Sequence, residues 1–138
     1  MGVVEMTIDS LRRNLLSDEW SLILKEKGGA ERYLAIYIGP RQANIVGKLL
    51  IGVGRVDHAE FALSSVGIDT IFCKVEAVII NRFANNIFYA KLLLTRNDGK
   101  SIEVDCAPAK AVAHGIRAEA PIFVDEEVLA EVAIAVRA

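Results

Sequence analysis

Apolar and polar residues alternate through Val4, Met6 and Ile8 against Glu5, Thr7 and Asp9. A period of two predicts a strand with one buried face. Arg12-Arg13-Asn14 and Ser17-Asp18-Glu19 predict a polar loop or irregular extension. Trp20 to Lys25 predicts a second strand, Gly28-Gly29 a turn, and Arg32 to Ile38 a third strand. Gly39-Pro40 then opens a helix that runs to about Ile51, since proline suits the first helical position. Ala43, Val46 and Leu50, with Ile45 and Leu49 beside them, form its buried face, and Gly52 and Gly54 end it. Asp57 is placed to cap a second helix from His58 to Val66, closed by Gly67.

The longest strand pair follows. Ile71, Cys73, Val75, Ala77 and Ile79 are expected on one face; Phe72, Lys74, Glu76, Val78 and Ile80 fall on the other. Asn85-Asn86 predicts a hairpin loop from which Ile87 to Thr95 pairs back, and Asn97-Asp98-Gly99 is a second turn. Ser101 to Asp105 alternates again, with Ile102 and Val104 on one face. Pro108 begins a helix whose apolar stripe is Ala109, Val112, Ala113 and Ile116 and whose one poor helix former is Gly115. Pro121 closes that helix and Ile122 to Val124 returns to the sheet. Asp125 caps a short helix with Glu126 and Glu127 in its first turn, and Val132, Ile134 and Val136 predict a closing strand. Strands and helices come in runs, not in strict alternation. The expectation is a single α+β domain over residues 1–138, a largely antiparallel or mixed sheet with three to four helices packed on it.

Composition adds limits. A chain of 138 residues, 53% hydrophobic and 25% charged, holds one core and is not of the disordered class. Net charge is −2, so no global basic field draws it to nucleic acid and any such contact is local. Two cysteines, neither in a Cys-x-x-Cys pair, point to structural thiols and to neither a disulfide framework nor zinc. No leader-like or membrane-length apolar run is read, so a cytoplasmic protein without a membrane partner is expected. The high apolar content fits either an aliphatic core or an oligomer interface.

The stretch Ile102-Glu103-Val104-Asp105, Pro108, Ala111, Arg117, Ala120-Pro121-Ile122, Val124 resembles the signature of the bifunctional nuclease family. Tyr33-Leu34-Ala35-Ile36-Tyr37-Ile38-Gly39 and Ile87-Phe88-Tyr89-Ala90 resemble two further segments of that family, in the same order. The resemblance covers nearly the whole chain. It implies an α+β fold, a homo-oligomer (dimer or trimer), and hydrolysis of DNA and RNA phosphodiesters, assisted by Mg²⁺ or Mn²⁺. The chain departs from the pattern at polar positions. Ala107 stands where the family usually has Arg, Ala109 where it has Ser, Lys110 where it has Asp, and Gln42 where it has Glu. Arg55 to Phe61 is a rewritten version of another polar segment.

Candidate chemistry follows from both readings. Glu103 and Asp105, two apart on a strand, share a face and are candidate catalytic residues and metal ligands. A lysine at 110 removes a ligand from that set and repels a cation. His58, beside Asp57, is the candidate base. Lys110, His114 and Arg117 lie on one helix face, with Lys110 and Arg117 as candidate phosphate contacts; Arg41, in the first turn after Gly39-Pro40, is a third. Lys110 is expected to pair with a nearby carboxylate such as Asp105. Three functions remain open: a nuclease, a non-catalytic oligomeric protein of the same fold, and an anion- or nucleotide-binding module without turnover.

Overall fold

The computed structural model describes residues 2–29, 31–51 and 73–135. The expected helix from His58 to Val66, its cap Asp57, and Ile71, Phe72 and Val136 lie outside the described residues. The described elements are β1 (Val3–Arg13), β2 (Trp20–Glu26), β3 (Arg32–Ile38), α1 (Pro40–Ile51), β4 (Cys73–Ala84), β5 (Ile87–Arg96), β6 (Ser101–Cys106), α2 (Pro108–Ala118), β7 (Ile122–Asp125), α3 (Glu126–Val132) and the two-residue β8 (Ile134–Ala135).

They form one sheet in the order β6-β5-β4-β7-β1-β2-β3-β8. Two antiparallel meanders, β1-β2-β3 and β4-β5-β6, are joined by β7, which runs antiparallel to β1 and parallel to β4. The mixed α+β architecture read from the sequence is the one observed. Buried rows cross the seam from one meander to the other. Val104, Leu92, Val78, Ile122 and Met6 are successive partners, as are Ala90, Ile80, Val124 and Val4. The helices cover this face, and Leu22, Leu24, Leu34, Ile36, Val46, Val112 and Leu129 complete the core.

Three bulges explain where simple alternation misleads. The ladder of β1 and β2 skips Asp9, which puts Ile8 and Leu11 against one core although they are three residues apart. The strand therefore continues through Arg12 and Arg13, opposite Ser21 and Trp20, where a polar loop or irregular extension was expected. In β4 the ladder skips Glu76 and again Asn81. Cys73 and Val75, then Val78 and Ile80, then Phe83 all pack inward as a result, so no single face holds the alternate residues from Cys73 to Ile79. At the C-terminal end, Val132 closes α3 and does not join the strand; β8 begins at Ile134.

Helix α2 sits on the middle of the sheet. Gly115 is the reason it can come so close: a Cβ there would stand 2.6 Å from Val78 Cγ2. The helix stops with Glu119 in the left-handed region, where the Glu119 and Ala120 N–H groups donate to the Ile116 and Gly115 carbonyls. Asp125 accepts a hydrogen bond from the Glu127 N–H at 2.9 Å, the predicted cap of α3. One ionic cluster ties strands to helix. Arg32 donates to both carboxylate oxygens of Glu26, at 3.0 and 3.1 Å, and to both of Glu126, at 3.1 and 3.0 Å. Glu26 is buried at the inward end of the Met6 row, and the Arg32 bonds hold its carboxyl below the usual range.

Candidate functional site

Four segments far apart in sequence, together with Val132 at the end of α3, meet around one cleft of about 800 Å³. They are the end of β3 through Gly39, Gln42 in the first turn of α1, the β4–β5 hairpin tip, and the start of α2. Each wall has a local cause. Gln42 folds its amide back over Gly39, where a Cβ would lie 2.8 Å from the amide oxygen. The hairpin tip turns on Asn85 and Asn86, with φ of 54° and 62°, the left-handed pair that fits a two-residue connection between twisted strands. Phe83 and Phe88 face each other across that turn with ring centroids 4.5 Å apart and supply the apolar wall. Next to them Arg82 lies over the Tyr89 ring at 5.1 Å.

The electrostatics of the cleft favour anions. Neither α1 nor α2 has an acidic residue in its first turn, and Ala107 gives α2 no side-chain cap. The first-turn N–H groups of both helices thus leave partial positive charge there. Lys110 adds a full charge on the cleft wall. Its field reaches two neighbours. Burial pushes the Cys106 thiol up to about 11, partly offset by Lys110. Burial, then Lys110, then Arg117 push His114 down to about 4, so this imidazole is neutral at physiological pH.

Among the described residues, those singled out from the sequence do not form one constellation. Lys110 is half-buried in the cleft. Arg41 is exposed one residue before Gln42, and Arg117 is exposed near the far end of α2. His114 lies inside the core at 4% exposure, so the helix face it shares with Lys110 and Arg117 is not a solvated basic stripe. Glu103 and Asp105 lie on the exposed face of β6, outside the cleft lining. Glu103 is held by Lys91 at 2.8 Å, and Asp105 is the cross-strand neighbour of that same lysine. Among the described residues no ion pair joins Asp105 to Lys110. His58 lies outside the described residues.

A hard divalent cation needs several oxygen donors converging on one point. Glu103 is committed to an ammonium, and no group of three or more His, Cys, Asp or Glu side chains converges among the described residues. The described donors therefore do not fit a Mg²⁺ or Mn²⁺ site. What the sequence did not disclose is the meeting of Gln42, the hairpin aromatics and the start of α2. The signal lay in the departures from the family pattern. Gln42, Ala107, Ala109 and Lys110 all line this one cleft.

The family model for the bifunctional nuclease domain matches residues 22–137. The chain belongs to the bifunctional nuclease domain family. Two uncharacterized proteins of Mycobacterium tuberculosis, one from strain CDC 1551 / Oshkosh and one from strain ATCC 25618 / H37Rv, are each 30% identical to it over 127 residues. That alignment covers 92% of this chain and 74% of each relative. In this bifunctional nuclease domain the matched span includes β3, α1, the β4–β5 hairpin and α2. Among its described residues no helix is long and apolar enough to cross a membrane.

Proposed function

We propose that this member of the bifunctional nuclease family binds a phosphate-bearing ligand, a nucleic acid strand or nucleotide, in the cleft and does not cleave it by a metal-assisted route. One observation carries the reading. Four positions at which the chain departs from the family's polar pattern, Gln42, Ala107, Ala109 and Lys110, line the same cleft, and among its described lining residues there is a lysine and no carboxylate. Exchanging an acid for Lys110 changes the local charge by two. A divalent cation is then repelled from the place where a phosphate is attracted.

Lys110 supplies a charge-assisted hydrogen bond worth about 1.5–3 kcal/mol to a phosphate oxygen. The Phe83–Phe88 wall offers apolar and stacking surface to a base, on the order of 1–3 kcal/mol. Gln42 and Asn86 are neutral amides at the lining, able to donate and accept without adding charge. Such a set orders a ligand but holds no general base within the described cleft. The hydrolytic reading rests on family membership and on Glu103 and Asp105, which share the outer face of β6. Both readings face the same experiment. Cleavage of single-stranded and duplex DNA and RNA is followed with Mg²⁺, Mn²⁺ or EDTA, beside binding measured by fluorescence anisotropy. Binding that persists in EDTA, weakens about tenfold in Lys110→Ala and yields no products supports the proposal. Metal-dependent products that vanish in Asp105→Ala would replace it with the hydrolytic reading.

A further inference from the structure

Leu15 and Leu16 are 93% and 95% exposed at the tip of the β1–β2 hairpin. The turn that presents them is well bonded. The Asn14 N–H donates to the Glu19 carbonyl at 2.9 Å, the Leu16 N–H to Asn14 Oδ1 at 2.9 Å, and the Glu19 N–H to Ser17 Oγ at 3.2 Å. Its polar groups are satisfied internally while two adjacent leucines face water.

At the same end of the molecule a groove of about 720 Å³ runs between this hairpin and α1. Leu11 and Trp20 line its strand side; the helix side is low because Ala43 and Gly47, one turn apart, carry little or no side chain. Arg13 and Lys48 stand on the groove. Asp18 and Glu19 flank the leucine tip, and Asp18 reaches the groove as well. An apolar knob beside acids therefore adjoins an apolar groove beside bases. A patch that holds a knob, a groove and both signs of charge is self-complementary, which is what a two-fold contact between identical chains requires.

We propose that a second copy of this chain docks here, the Leu15–Leu16 tip of each protomer entering the groove of the other, with Asp18 and Glu19 facing Arg13 and Lys48 across the contact. The inference does not depend on what the cleft binds. The test is light scattering after size-exclusion chromatography, over a dilution series, on the full chain, with far-UV circular dichroism on each variant to show that it is folded. Wild type is expected at twice the 15.0 kDa chain mass. Leu15→Ser/Leu16→Ser alters only exposed side chains and is expected at the single-chain mass with an unchanged far-UV circular dichroism spectrum. Gly47→Met fills the groove from the other side; its Cβ would stand an ordinary 3.5 Å from Leu11 Cδ2, so the fold is kept and the dimer is lost. A wild type that stays at the single-chain mass, or at any mass other than twice it, overturns the proposal. So does an assembly that survives either variant.

Discussion

Gly115→Ala is a direct test of how α2 is seated. In an open helix this exchange stabilises by about 1 kcal/mol, because alanine loses less backbone freedom than glycine. Here the new methyl would stand 2.6 Å from Val78 Cγ2. Carbon atoms rest at roughly 3.5–4.0 Å, so about 1 Å must be recovered. Val78 cannot easily yield it. It is fully buried, β-branched, and held in the ladder by Leu92 on one side and Ile122 on the other. The helix must lift instead, and overpacking of this kind costs about 1–3 kcal/mol. After the propensity gain of about 1 kcal/mol, the net expectation is a loss of up to about 2 kcal/mol and no stabilisation, read as a lower urea midpoint and a melting temperature lower by up to about 8 °C. In a Val78→Ala background the obstruction is gone, and Gly115→Ala should become neutral or stabilising. A coupling of about 1–3 kcal/mol between the two changes is expected from the double-mutant cycle. Stabilisation by Gly115→Ala in the wild-type background, or strict additivity, would refute this account of the packing. The point reaches the cleft, because the helix that would lift also carries Lys110.

Arg32→Met leaves the buried Glu26 carboxylate without its main partner and should destabilise by about 2–4 kcal/mol in urea titration, while Arg32→Met/Glu26→Leu should recover most of that loss. The Glu126 side of the cluster is half exposed and contributes little, so Glu126→Gln is expected to cost less than about 1 kcal/mol. His114 titrates near 6.5 unfolded and near 4 folded, so the unfolded chain binds the extra proton first and stability falls as pH drops from about 6.5 toward 4, by at most about 3 kcal/mol. Glu26 is lowered from 4.5, so its share of stability is present above that pH and is lost only below it. Urea midpoints measured across this range should therefore fall in two windows, and His114→Leu should flatten the upper one.

The frame was legible because it rests on local patterning. Pro40, Pro108 and Asp125 mark three helix starts, and the inward rows of β2, β3, β5 and β6 alternate cleanly. The misreadings within β1 and β4 share one cause. An inserted residue at Asp9, Glu76 or Asn81 shifts the phase of a strand, and the sequence there looks like the end of a strand or a change of face. His114 was read as part of a basic face because its helical phase matches Lys110 and Arg117; tertiary packing of α2 on the sheet decided otherwise. The cleft was not legible as a site. Its walls come from β3, α1, the β4–β5 hairpin, α2 and the end of α3, and no spacing in the chain encodes their meeting. The carboxylate pair was legible as residues but not as a partnership, since Lys91 comes from the neighbouring strand.

The central claim is that the ligand-binding face of this domain is the cleft and not the outer face of β6. Amide chemical-shift mapping tests it most directly, with a nucleotide or short oligonucleotide titrated in EDTA and then with Mg²⁺. The account predicts perturbations at Gln42, Asn86, Phe88 and Lys110 that are already complete in EDTA. Shifts that appear only with Mg²⁺ and center on Glu103 and Asp105 would contradict it.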